Sequence, residues 1–307
     1  MDKIKIFCPA TVSNLSCGFD VLGLALEQVG DEMIIRKSSG NQLTIRQTEG
    51  PEIPLDPAKN VAGVSARSLL DHLGSEDGFD IEIAKRIKPG SGIGSSAASA
   101  AGAVWGINQL LGAPLTTKEL LPHAMTGEAI ASDAWHADNV APCLMGGFVL
   151  IRGYDPIDVI QLSFPNDLAL AIIHPHLEIK TAESRTLIGD KIPLQNAIAQ
   201  WGNLGGLIAG LASGDHDLIS RSLVDHVAEP KRKHQIPGFE EMKTVAITSG
   251  ALGFGISGSG PSVFALCRGI KKAEEVGQKL AEAFTPQGIA FDLYCSRIHS
   301  EGIRIIP

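Results

Sequence analysis

No Cys-x-x-Cys pair occurs in this chain; its five cysteines (Cys8, Cys17, Cys143, Cys267 and Cys295) are scattered and odd in number. That argues against a zinc ribbon or a disulfide framework and fits a reducing, cytoplasmic compartment. There is no surplus of positive charge either. The 26 Lys and Arg stand against 34 Asp and Glu, a net charge of −8, which removes the basic face that a nucleic-acid partner requires. The dense basic cluster Lys231-Arg232-Lys233-His234 is too short to change this. No apolar run reaches the ~18 residues of a membrane span. The start, Met1-Asp2-Lys3-Ile4-Lys5-Ile6-Phe7, alternates like a strand and does not read as a leader. Aromatic residues make up only 5%, and Trp105, Trp135 and Trp201 mark no stacking platform for a base.

Glycine, by contrast, is plentiful, and one glycine run dominates the reading: Pro89-Gly90-Ser91-Gly92-Ile93-Gly94-Ser95-Ser96-Ala97-Ala98-Ser99. Glycines at alternate positions allow positive φ and close approach, so successive backbone N–H groups can face one concavity. The small-residue helix predicted from Ser95 adds unpaired amides and the positive end of its dipole. Ser95, Ser96 and Ser99 offer hydroxyls to a phosphate or its magnesium. The run reads as a phosphate cradle, with a tight turn packed on a sheet as the plain alternative. It is not a P-loop, because the Gly-Lys-Ser/Thr ending is missing. A literal Gly-x-Gly-x-x-Gly does occur at Gly253, Gly255 and Gly258, but a strand follows it (Ser262 to Cys267), so the dinucleotide reading fails. A tight loop between strands remains, with amides available to a ligand.

At 307 residues, 44% hydrophobic and 20% charged, the chain suits one large soluble domain or two sharing a cleft. Strands are expected at 3–8, 20–28, 31–37, 42–47, 79–85 and 146–152, and helices at 60–73, 95–111 and 117–132. Tyr154-Asp155-Pro156 is a turn and the expected boundary, giving an N-terminal domain over 1–155 and a C-terminal domain over 156–307. Strands at 158–163 and 168–174 and helices at 182–188 and 195–213 open the second half. The order is α+β, not a strict βαβ alternation.

Other residues could carry chemistry. Asn14 and Asp20 bracket a polar loop after the first strand, where they suit an ammonium or hydroxyl, or simply satisfy a turn. Glu128 ends an otherwise neutral helix, a place for a magnesium carboxylate or a solvated face. His136, Asp138 and Asn139 crowd a predicted loop. Arg185 and Arg232 lie in polar stretches and match a carboxylate, or stand at the surface.

In order, segments 9–23, 89–99 and 255–262 resemble three motifs of the galactokinase, homoserine kinase, mevalonate kinase and phosphomevalonate kinase (GHMP) superfamily. These are its Pro-Ala segment, its Pro-x-x-x-Gly-Leu/Ile-Gly-Ser-Ser-Ala cradle and its Gly-x-Ser-Gly-Ser/Ala-Gly-Pro-Ser/Thr loop. Asn14 to Asp20, His136 to Pro142, Thr181 to Arg185 and Glu229 to Arg232 most resemble the homoserine-kinase branch. The resemblance implies a ribosomal-S5-like N-terminal domain and a ferredoxin-like C-terminal domain, often in a homodimer. It implies Mg-ATP-dependent phosphorylation of the L-homoserine side-chain hydroxyl, a step toward threonine. Pro89, Gly90, Ser91, Gly92, Ile93, Gly94, Ser95, Ser96, Ala97, Ala98 and Ser99 would hold the ATP phosphates, with Asn60 and Val61 near adenine. Ser96 and Glu128 would hold Mg2+, and Asn14, Asp20, His136, Asn139, Arg185 and Arg232 would line the substrate pocket. Mevalonate kinase and galactokinase use an aspartate base where this chain resembles its branch in having Asn139. An amide cannot take a proton at neutral pH, so direct in-line transfer without a protein base is expected, with Asp138 the rival base. The alternatives are another kinase of the superfamily, mevalonate-type, and a non-catalytic binder.

Overall fold

Lys3–Ser13 forms β1, followed by β2 (Leu22–Lys37), β3 (Leu43–Glu49), α1 (Val61–Leu73), β4 (Phe79–Ala84), α2 (Ser95–Leu110), α3 (Thr117–Ser132) and α4 (Ala137–Met145). Next come β5 (Phe148–Tyr154), β6 (Ile157–Leu162), β7 (Leu168–Pro175), α5 (Thr181–Thr186), α6 (Leu194–Ser213), α7 (His216–Ser222), α8 (Glu229–Arg232) and α9 (Phe239–Thr248). β8 (Gly253–Ile256), β9 (Val263–Arg268), α10 (Ile270–Phe284), β10 (Phe291–Arg297) and β11 (Arg304–Ile305) complete the order. The computed structural model describes residues 2–132, 136–179 and 181–307; Trp135 and Lys180 lie outside them.

The first sheet runs β11-β1-β2-β4-β3, with β5 beside β2 and β6 beside β5. Only its β3–β4 pair is parallel. The second runs β10-β7-β9-β8, antiparallel throughout. Two elements differ from the sequence reading. β1 continues past Pro9 to Ser13 through a register shift between Pro9 and Thr11, because a bulge lets a strand accommodate proline's missing N–H. β2 is one long strand where two were expected: its start pairs with β5 and its end with β4, while β1 pairs along both. The division expected at 155/156 falls inside the β5–β6 hairpin, and β11 returns to the first sheet. We propose residues 163–167 as the linker, since the second sheet starts with β7.

Burial along β7 has period two on both faces. Leu168, Leu170 and Ile172 join the large core that fills the first half, while Ala169, Ala171 and Ile173 join a second core with α9 and α10 residues Met242, Val276 and Leu280. The second sheet is thus covered on both sides, and the two halves share packed surface. α2 lies close on the first sheet because it is built of small residues. A Cβ at Gly102 would fall 2.5 Å from both Cys8 Sγ and Met33 Sδ.

One ion pair is fully buried beneath the cradle. Lys85 Nζ, just past β4, donates to Asp31 Oδ2 of β2, to Ser95 O at 2.5 Å and to Ser99 Oγ at 2.9 Å. Asp31 Oδ1 accepts from the amides of Arg86 (2.8 Å) and Ile87 (2.9 Å). Removing one partner strands the other charge out of water. Lys85→Met should therefore lower unfolding free energy by about 3–5 kcal/mol, and Lys85→Met with Asp31→Leu should recover much of that. Urea unfolding of the two variants checks this; an unchanged midpoint for Lys85→Met would remove the pair from its proposed place in the fold.

Candidate active site

Gly94 starts α2 in the left-handed region (φ 72°) and caps it without a side-chain oxygen, so the first-turn amides have no capping acceptor. Only glycine fits there: a Cβ would also lie 2.0 Å from Thr11 Oγ1. The turn before it is held from two sides. Thr11 N donates to Ile93 O at 3.1 Å, and from the third glycine run Ser257 Oγ donates to Gly92 O at 2.7 Å. Ser262 N reaches Ser91 O at 3.3 Å. The loop that failed as a dinucleotide site is therefore a clasp on the cradle.

The cradle opens into a cavity of about 580 Å3. Pro89, Gly90, Ser91, Gly92, Gly94, Ser95, Ser96 and Ser99 line it, whereas Ile93, Ala97 and Ala98 are buried behind. Of the three serine hydroxyls expected at the phosphates, two make hydrogen bonds within the protein. Ser95 Oγ donates to Ile87 O at 2.9 Å and Ser99 Oγ is taken by Lys85, so helix geometry turns both toward the interior. Ser96 is the one whose hydroxyl meets the acidic partner, donating to Glu128 Oε1 at 2.9 Å. Burial pushes the Glu128 carboxyl up to about 7, against the opposing hydrogen bond from Ser96. Hard oxygen donors beside open first-turn amides, with a carboxyl that would gain from a nearby cation, fit a magnesium-phosphate group.

Asn60 and Val61 line the far end with Ile53, Pro54 and Lys59. The Asn60 side chain itself is occupied: it caps α1 by accepting from Ala62 N at 2.9 Å and donates to Pro54 O at 2.6 Å.

At the other end sit the six residues expected around a small substrate, all of them in the cavity wall. Asp20 and Arg185 pair with each other, Nη2 to Oδ2 at 2.7 Å. Arg232 is buried; it donates to Ser184 O at 3.2 Å and Gly258 O at 3.0 Å and lies over the Phe19 ring at 5.3 Å. Asn14, in the left-handed region at φ 70°, donates to Gly258 O at 2.7 Å and accepts from Asp20 N at 3.0 Å, which fixes the polar loop. The stretch from His136 is not the loop expected. Asp138 and Asn139 lie on the first turn of α4 with His136 as its N-cap, because Ala137, Val140, Ala141 and Leu144 make a buried helical face. The His136 ring is shifted toward neutrality, chiefly by burial, and its Nε2 has no hydrogen-bond partner among the described residues. Asn139 accepts from Thr11 Oγ1 at 3.1 Å and donates to Ser13 Oγ at 3.0 Å.

Thr11, Ser13 and Lys85 were missed in the sequence. Their signal was polarity out of place: hydroxyls closing an apolar strand, and a lysine between a strand and a glycine loop.

Burial, then the nearby Asp20 charge, pushes Asp138 from 3.8 up to about 7, while a hydrogen bond from Ser13 opposes the shift. Its folded value lies above its unfolded one, so folding is disfavoured as pH rises from about 4 to about 7. Asp138→Asn should then be more stable than the parent at pH 8 by at least ~1 kcal/mol, with the gain fading toward pH 4. Thermal melts across that range test the sign.

The GHMP kinases N terminal domain family matches residues 60–147, and the GHMP kinases C terminal family matches 207–285. Homoserine kinase of Chlorobium phaeobacteroides is 45% identical over 100% of both chains. That of Chlorobaculum tepidum is 43% identical over 100% of this chain and 99% of its own. The crystal structure of homoserine kinase from Cytophaga hutchinsonii shares 48% identity with a TM-score of 0.96, covering 100% of this chain and 98% of that one. Mevalonate kinase of L. major, at 20% identity and TM-score 0.72 over 96% of each chain, shares the fold. With both halves matched and relatives aligned end to end, the chain belongs to the homoserine kinase family of the GHMP kinases.

Proposed function

We propose that the chain transfers the γ-phosphoryl group of Mg-ATP to the side-chain hydroxyl of L-homoserine, giving O-phospho-L-homoserine on the way to threonine. The observation that carries this is one cavity whose wall holds both an uncapped helix start and an acid–arginine set. The first suits phosphates and the second suits a zwitterion. Mevalonate carries a carboxylate for the arginines but no ammonium for Asp20, so a mevalonate-type reading fits less well.

Ser96 and Glu128 are the residues that would hold magnesium, and the ion would neutralise phosphate charge. The substrate ammonium takes Asp20 from Arg185, and the substrate carboxylate takes Arg185 and Arg232 in return. An ion pair is replaced by two new ones, so little charge is stranded. Asn14 and His136 Nε2 supply hydrogen bonds to the rest of the molecule, and Asn139, fixed by Thr11 and Ser13, stands by the reacting hydroxyl. That oxygen bonds to the γ-phosphorus as the bond to the departing ADP oxygen breaks. The transition state is loose, and the hydroxyl proton passes to the transferred group or to water. The five free thiols support a cytoplasmic enzyme, and the homodimer implied by the resemblance is part of the same reading. Among the described residues no helix is long and apolar enough to cross a membrane.

Asp138 favours a second reading of the proton step, because its buried carboxyl in the cavity wall titrates at about 7. Coupled ADP release with L-homoserine, L-serine, mevalonate and galactose should show turnover with homoserine alone. Arg185→Ala should raise its KM about 10- to 100-fold. Turnover with another alcohol alone would overturn the substrate. Asp138→Asn should keep kcat within about tenfold; a loss of about 100-fold or more, with a basic limb gone from the pH profile, would make Asp138 the base. Asn139→Asp should not raise kcat.

A further inference from the structure

Outside the cavity, the second sheet gathers a group that the phosphoryl-transfer reading does not use. His174 lies on β7 directly opposite Asp292 of β10, and His176 follows two residues on, so the pleat brings all three to one face. The His176 amide extends the ladder to Ala290 O at 2.7 Å, which holds that register beyond the strand end. His174 Nδ1 is 3.3 Å from Asp292 Oδ2, and His176 Nε2 is 2.9 Å from the same oxygen. All three donor atoms lie within 4.8 Å of one another. A cation already touches them: Lys88 Nζ sits 2.6 Å from His176 Nε2 and 3.1 Å from Asp292 Oδ2.

We propose that His174, His176 and Asp292 form a binding site for a divalent transition-metal ion of the Zn2+ or Co2+ class, which Lys88 occupies in competition. Two imidazoles and one carboxylate make a donor set that suits these ions and not Mg2+, which prefers oxygen. Waters would complete the shell. His174 is buried in the sheet, which fixes its ring. Lys88 immediately precedes Pro89 of the cradle. The ion and the Lys88–Asp292 contact exclude each other, so metal binding releases a cross-link between the cradle's entry and the second sheet.

The test needs no substrate. Chelator-treated full-length protein is titrated with Co2+ and followed by visible absorption, then back-titrated with Zn2+. One saturable band set, bleached by Zn2+, is expected. His176→Ala, at a half-exposed position, and Asp292→Asn should each weaken binding by at least about 100-fold, since lost second-shell partners alone cost about 10- to 100-fold. Lys88→Ala keeps every ligand and should bind up to about fivefold tighter, the worth of one exposed ion pair. Glu128→Gln should leave the bands unchanged. Absent bands, bands that survive both ligand changes, or bands lost only in Glu128→Gln would overturn the proposal. None of these outcomes depends on homoserine being the substrate.

Discussion

A buried lysine and a buried aspartate hold the glycine-rich turn at the start of α2 in place. Lys85 and Asp31 are both buried, at 2% and 0% exposure of their side chains, so each charge must be matched inside the protein. The match is made by the structure above them: Ser95 O and Ser99 Oγ from the first turns of α2, and two amides from the chain entering the cradle. The cradle therefore sits on a rigid electrostatic footing and not on a flexible loop. Its glycines bend freely only in the unfolded chain; in the fold, Thr11, Ser257 and Ser262 donate to the carbonyls of Ile93, Gly92 and Ser91.

Around this footing the cavity is poised by what it withholds from water. Glu128 and Asp138 are both raised to about 7, on different helices and for the same reason, burial. One is answered by the Ser96 hydroxyl and, in the functional reading, by a cation. The other has Ser13, its own backbone amide and, at 3.5 Å, the side-chain amide of Asn139, which cannot take up its proton. Two carboxyls of similar burial are thereby set to different work by their neighbours. In the same cavity, Asp20 of the loop after β1 and Arg185 of α5 satisfy each other from opposite halves of the chain. Phe19 lies within cation–π range of both arginines, at 5.9 Å from Arg185 and 5.3 Å from Arg232.

Much of the site was legible because its chemistry demands rare residue patterns. Alternating glycines ahead of a serine-rich helix start, or a serine-glycine loop between strands, have few other uses. The six substrate-end residues were legible only through resemblance, since each alone is an ordinary turn or surface residue. What stayed hidden was long-range. Nothing local tells that Lys85 meets Asp31, or that Ser257 clasps Gly92. The helix from Ala137 was read as a loop because Asp, Asn and Pro142 are turn residues, although Asp138 in a first turn also favours the helix dipole. The two-strand reading of β2 left a break between 28 and 31, but tertiary pairing carried the strand through it, with Gly30 opposite Pro9. Strand and helix identities from clear periodicity, as in α1 and β4, needed no tertiary information.

The short pairing of β11 with β1 bears on how the chain is made. Ile6 and Phe7 are made long before Arg304 and Ile305, the residues that close their outer edge. Until then β1 is an open edge, the kind of surface that seeks wrong partners. The clasp from Ser257 also arrives late. During synthesis the half that carries the cradle waits for the other half to supply both contacts.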